Sequence, residues 1–141
     1  MLLKPLHILQ RRVFMAKKRT ILVVDDDVSA SQMVKMILEK SGLYEVSVCN
    51  RGSKALEMIR EKHPELVLLD IMMPDADGAD VANQIREDES LALTRVVFMT
   101  SLVSEKEVAK NSVIGGHPFI SKPISGENLL KSVQGFFELE N

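Results

Sequence analysis

Three shortages set the first limits on this chain. It holds one cysteine, Cys49, so no internal disulfide can form and a reducing, cytoplasmic setting is expected. It has no tryptophan and only 4% aromatic residues, which disfavours an aromatic stacking platform for nucleic acid. No apolar run approaches the ~18 residues of a membrane span, so no membrane role is expected. The opening apolar segment, residues 1–9, is broken by Lys4 and Pro5 and is too short for a secretory signal.

Acid is missing from one region only. Residues 1–19 carry Lys4, Arg11, Arg12, Lys17, Lys18 and Arg19 and no Asp or Glu, leaving 12 basic against 20 acidic residues in the remainder. That acidic remainder disfavours nucleic acid as a partner. Residues 1–19 read as a basic extension, expected to be disordered, with Met15-Ala16-Lys17-Lys18 a natural alternative start. Residues 20–141 suit one domain, and 45% hydrophobic with 27% charged residues is ordinary for a globular fold.

What is present centres on Leu66-Val67-Leu68-Leu69-Asp70-Ile71-Met72-Met73-Pro74-Asp75. An unbroken apolar run fits a parallel strand covered on both faces, and it delivers Asp70 to the strand's carboxyl end. Similar runs occur at Ile21-Leu22-Val23-Val24, ending in Asp25-Asp26-Asp27, and at Arg95-Val96-Val97-Phe98-Met99, ending in Thr100-Ser101. Tyr44 to Cys49 alternates like a strand, and His117 to Ser121 is a short one before Lys122-Pro123, with Pro118 tolerable only at an edge or a strand start. Between them the apolar period turns helical. Ala30, Met33, Val34, Ile37 and Leu38 form one stripe closed by Gly42, with Asp27 as its cap. Gly52-Ser53 opens a helix through Ala55, Leu56 and Ile59, ending at His63-Pro64. The turn-rich Pro74-Asp75-Ala76-Asp77-Gly78 leads to one with Val81, Ala82 and Ile85. Ser104 heads a short polar helix over residues 105–111, and the last helix places Leu129, Leu130, Val133, Phe136 and Phe137 on a stripe. Strands alternating with helices predict an α/β fold, a parallel sheet with helices on both faces.

Asp25, Asp26, Asp70, Thr100 and Lys122 each follow a predicted strand, and parallel strands bring such ends to one edge, where ligands of open α/β sheets bind. Three converging carboxylates repel by a few kcal/mol per pair at an effective dielectric of ~20. They must hold protons or a cation, and hard oxygen donors suit Mg2+ or Mn2+. Lys122 adds a charge and Thr100 a hydroxyl for further phosphoryl oxygens, the stabilisation that phosphoryl transfer to Asp70 requires.

Val23-Val24-Asp25-Asp26, Leu68 to Pro74 with Gly78, Met99-Thr100-Ser101 and Ser121-Lys122-Pro123 resemble the receiver domain of two-component response regulators, most closely the single-domain, chemotaxis-type members. Separations of 44 residues from Asp26 to Asp70, 30 on to Thr100 and 22 on to Lys122 agree with that family. The resemblance, over about residues 20–140, implies a doubly wound five-stranded parallel sheet of order 2-1-3-4-5, a flavodoxin-like receiver fold. It implies Asp70 as phosphoacceptor, taking its phosphoryl group from a sensor histidine kinase or a histidine phosphotransfer protein. Asp25, Asp26, Asp70 and the Met72 carbonyl are implied as metal ligands, Thr100 as switch hydroxyl, Lys122 as phosphate clamp and Phe119 as switch aromatic. The expected product is a stand-alone switch of partner affinity and not a turnover enzyme. A phosphatase with an aspartyl-phosphate intermediate would want a carboxylate where Met72 stands. Met72 and Leu102 are apolar where side chains influence water attack, so slow self-dephosphorylation is expected. Phe136, Phe137 and the off-stripe Leu139 suggest an exposed apolar patch for an unidentified target or a homodimer.

Overall fold

The computed structural model describes residues 17–101, 113–114 and 116–138. Its main strands are β1 (Arg19–Val24), β2 (Tyr44–Cys49), β3 (Leu66–Asp70), β4 (Arg95–Thr100) and β5 (His117–Ser121). They are hydrogen-bonded in the order β2-β1-β3-β4-β5, all neighbours parallel, as expected of a doubly wound sheet. One strand of this sheet was not expected: the two-residue Val113–Ile114 pairs antiparallel with β5, Val113 opposite Pro118. Pro118 sits just before β5 joins β4 at Phe98 and Phe119, so its missing N–H costs no bond in the parallel ladder.

Among the described residues four α-helices cover the sheet: α1 (Val28–Lys40), α2 (Ala55–Lys62), α3 (Gly78–Glu87) and α4 (Gly126–Glu138). Successive strand residues face opposite ways, so the continuous apolar runs feed two cores. Leu22, Val24, Val67, Leu69, Val96 and Phe98 pack with Ala55 and Ile59 of α2 and Val81 and Ile85 of α3. Ile21, Val23, Leu66, Leu68, Val97 and Met99 pack with Leu38 of α1 and with Leu129, Val133 and Phe137 of α4. Double coverage is why β1, β3 and β4 show no polar alternation in sequence.

Local chemistry sets the helix ends. Asp27 caps α1, its Oδ1 accepting from the Ala30 N–H at 3.0 Å. Gly42 follows that helix with φ of +79°, a left-handed position that favours glycine. Gly52 to Lys54 form a 3-10 turn before α2, which ends at His63 with φ of +45°.

One expectation is corrected. Met33 is 59% exposed; the inward face of α1 centres on Ser31, Val34 and Leu38, with Ala30 and Ile37 at its margins, and Met33 is turned about 100° from Val34. Of the residues expected to form an apolar patch on the last helix, Phe137 is buried against Tyr44, ring centroids 5.6 Å apart, and Phe136 packs half-buried on the same core. Leu102, Gly115, Leu139 and the helix expected over residues 105–111 lie outside the described residues.

Candidate functional site

The acidic turn after β1 carries the first half of the site. The Asp25 N–H donates to the Cys49 carbonyl at 3.0 Å, extending the β1–β2 ladder one step past Val24. This draws Asp25 into the protein, where its Oδ1 accepts from the Asp27 N–H at 3.0 Å and its Oδ2 from Lys122 Nζ at 2.6 Å. Asp25 is buried, while Asp26 beside it is exposed to solvent.

The second half hangs from β3. Asp70 is its last residue, opposite Met99 of β4, and is partly exposed. One carboxylate oxygen from each of Asp25, Asp26 and Asp70 lies within 4.8 Å of the others. This all-oxygen, open-sided donor set fits a hard divalent cation that keeps several waters. Lys122 Nζ is 3.6 Å from Asp70 Oδ2, so the lysine spans Asp25 and Asp70 but lies nearer Asp25. Burial pushes the Asp70 carboxyl above its ordinary value; Lys122 opposes this and the charges of Asp25 and Asp26 add to it. For Lys122, burial pulls downward, but the hydrogen bond it donates to Asp25 and the charges of Asp25 and Asp70 outweigh it and hold the ammonium above the ordinary lysine value.

Thr100 ends β4 fully buried, and its carbonyl accepts from the Lys122 N–H at 2.8 Å, which ties the two strand ends together. Phe119 lies in β5 opposite Phe98 and is buried in the core shared with α2 and α3. Met72 sits two residues past Asp70 with its side chain 66% exposed. Instead of an open loop, Met72–Met73 and Ala76–Asp77 form a small antiparallel hairpin, Met72 opposite Asp77. Gly78 closes it: its N–H donates to the Ile71 carbonyl at 2.8 Å, and a Cβ there would lie 2.2 Å from the Asp70 carbonyl oxygen. All expected side-chain contributors thus stand at one edge of the sheet, while Phe119 belongs to the core beneath it.

Sequence reading missed the polar residues that brace the cluster. Asn50 Nδ2 donates to the Asp25 carbonyl and to Ser31 Oγ, both at 2.8 Å. Asp75 accepts from the Gly52 N–H at 3.2 Å and from the Ser53 N–H and hydroxyl at 3.1 and 2.7 Å. Asn50 directly follows a strand, as Asp25 follows another, and that was the available signal; for Asp75 only its turn propensity was visible. Among the described residues no buried side-chain polar atom lacks a partner.

A doubly wound parallel sheet with a carboxylate cluster and a lysine at its carboxyl edge defines a class of α/β domain whose ligand site lies at the strand ends and has the oxygen donors that suit a hard divalent cation. The chain belongs to the response regulator receiver domain family, whose model matches residues 21–134. It is 33% identical over 117 residues to the DNA-binding response regulator MtrA of Mycobacterium tuberculosis, covering 83% of this chain and 50% of that protein. It is 28% identical over 118 residues to the polar-differentiation response regulator DivK of Brucella suis, covering 84% of this chain and 95% of that one. The chain therefore spans about half the length of the MtrA relatives and nearly all of DivK. Its fold is similar to that of the chemotaxis response regulator CheY4 of Vibrio cholerae, with a TM-score of 0.72 and 27% identity over 84% of this chain and 98% of that one.

Proposed function

We propose that this chain is a phosphorylation-driven switch that accepts a phosphoryl group on Asp70 from a phosphohistidine of a sensor histidine kinase or phosphotransfer protein, in a Mg2+-dependent reaction. The observation that carries the reading is the convergence of Asp25, Asp26 and Asp70 at the carboxyl edge of the sheet, with Lys122 against Asp25 and Asp70. An Asp70 carboxylate oxygen attacks phosphorus while the P–N bond to the donor imidazole breaks and its electron pair returns to the ring nitrogen. Asp25, Asp26, Asp70 and the Met72 carbonyl would hold the cation, which when bound neutralises charge around the nucleophile and a phosphoryl oxygen. Lys122 stabilises another phosphoryl oxygen, and the Thr100 hydroxyl bonds a third as the switch moves, with Phe119 following. The Asp25–Lys122 pair already places that ammonium within reach of both carboxylates. In this reading the switch acts in the cytoplasm by changing its affinity for an unidentified protein partner. Among the described residues no helix is long and apolar enough to cross a membrane.

Incubation with acetyl phosphate and Mg2+ tests this. One phosphoryl group per chain, acid-stable, hydroxylamine-labile and absent from Asp70→Asn, is expected. Continuous phosphate release at enzyme-like rates would show a phosphatase instead, and no Mg2+-dependent labelling would refute the switch.

A further inference from the structure

Asp70 is held on one side by its pairing with Met99 of β4 and Asp25 by its hydrogen bond to Cys49, but no rung of the sheet joins Asp25 to Asp70. The β1–β3 register ends at Val24 opposite Leu69, one residue short of both Asp25 and Asp70. Like charges at that spacing push the two turns apart, so something other than the β1–β3 ladder must brace them. The contacts lead to the connection between β2 and α2, which contributes no carboxylate to the cluster.

At one end of this connection, Asn50 uses both hydrogens of its amide, one on the Asp25 carbonyl and one on Ser31 Oγ. Ser31 is fully buried in α1, and its hydroxyl donates to the Val28 carbonyl at 2.9 Å, so Asn50 is anchored on the element that the acidic turn feeds. At the other end, Asp75 of the hairpin turn receives three hydrogen bonds from Gly52 and Ser53. The Ser53 hydroxyl, with the backbone donors, holds the Asp75 carboxyl below its ordinary value. The backbones press together there: a Cβ on Gly52 would lie 2.7 Å from the Ala76 Cβ and 2.9 Å from the Met73 Cε.

We infer that residues 50–53 form a bridge that holds the Asp25–Asp26 turn and the Asp70–Met72 turn at the spacing a divalent cation needs, with Asn50 and Asp75 as its positioning residues. Neither residue touches the cation or the phosphoryl group. Each acts through the turn it grips. The inference rests on the metal-binding reading given above.

Asn50→Ala, Ser53→Ala and Asp75→Ala in the full chain test it by calorimetric titration with MgCl2 and by thermal unfolding without metal. Each substitution is expected to weaken Mg2+ binding about three- to tenfold, the range of one or two hydrogen bonds. Metal-free midpoints should stay within about 3 °C of the parent. Ser53→Ala changes no charge, so a loss there is not a long-range electrostatic effect of removing Asp75. Asp75→Asn keeps an acceptor oxygen and should recover part of the loss. A bridge broken at one end is already open, so Asn50→Ala with Ser53→Ala should bind little worse than the weaker single variant. Affinities within twofold of the parent, or losses that add fully in the double variant, would overturn the bridge. So would midpoints that fall in step with affinity, the mark of local destabilisation alone. If Asn50→Ala does not fold, Ser53→Ala, which removes one exposed hydroxyl, decides. If the parent binds no Mg2+, the metal site falls and the bridge with it; binding by the parent with unchanged variants removes the bridge alone.

Discussion

Lys122 is the residue on which the site's electrostatics turn. At 2.6 Å from Asp25 and 3.6 Å from Asp70 it occupies the charge balance that a cation would otherwise supply. Lysine and cation therefore compete for the same carboxylates, even though both serve phosphoryl transfer in the proposed reaction. Lys122→Ala is expected to raise Mg2+ affinity about tenfold, a modest part of the Coulomb term at an effective dielectric of ~20, while acetyl phosphate labelling drops sharply. Unchanged or weaker Mg2+ binding in titration would contradict that competition. Asp70 offers a second check. Burial first, then Asp25 and Asp26, raise its pKa in the fold against the pull of Lys122, so its charged form is less favourable there than in the unfolded chain. Stability then rises as pH falls through the folded pKa towards the ordinary value of 3.8. Asp70→Asn removes the penalty, so its metal-free midpoint at pH 7 should exceed the parent's by a few degrees, and melts near pH 4 should show the gap narrowing. A parent more stable than Asp70→Asn at pH 7 would reverse the sign. Met72, exposed two residues on, presents no group that can orient water. Met72→Asn is expected to shorten the phosphoryl lifetime several-fold, measured as loss of label after donor removal.

At the scale of elements, β3, which carries the proposed phosphoacceptor, and α3 meet through one glycine. A Cβ on Gly78 would sit 2.2 Å from the Asp70 carbonyl oxygen and 2.8 Å from the Ile71 Cα, both backbone atoms that cannot swing aside. Gly78→Ala should therefore cost about 3 kcal/mol, the upper end of overpacking penalties, read as a lower denaturation midpoint. It should also weaken Mg2+ binding, because the turn carrying Asp70 has to shift. Elements like β1, β3 and β4 were legible in sequence because double coverage turns a strand into an unbroken apolar run, and Asp27 was legible as a cap from the residue type alone. The hairpin over Met72 to Asp77 was not, since two-residue pairing leaves no periodic pattern. Met33 misled because a methionine beside Val34 widens an apparent stripe whose centre lies on Ser31, Val34 and Leu38. The carboxylates and Lys122 could be grouped from strand ends alone, whereas Asn50 and Asp75 grip partners 25 and 22 to 23 residues away through backbone groups, which no side-chain pattern records.

For the whole molecule, the pocket and the seam that joins β1 and β2 to α4 stand at opposite edges of the sheet. At the amino edge, the Arg19 guanidinium lies 4.6 Å from the Phe137 ring centroid and 3.1 Å from Glu65, while Arg95 donates to the Phe136 carbonyl at 2.6 Å. Tyr44 also stacks on Phe137, so β1, β2 and α4 meet around one aromatic ring. Arg19, the last of the basic residues in 1–19, is the first residue of β1. A chain shortened to begin at Lys17 is therefore expected to keep its unfolding midpoint and its Mg2+ affinity. Arg19→Ala removes a cation–π contact and a half-exposed ion pair, together worth roughly 1 kcal/mol, or about 3–5 °C for a domain of this size. Mg2+ affinity should be unchanged in that variant, because the acidic cluster gains nothing from a charge across the length of the sheet in screened solvent. Calorimetry on both proteins separates the two regions. A shortened chain that loses stability would move residues before Lys17 into the fold, and an Arg19→Ala protein that loses Mg2+ affinity would show that the seam and the pocket are coupled through the strands.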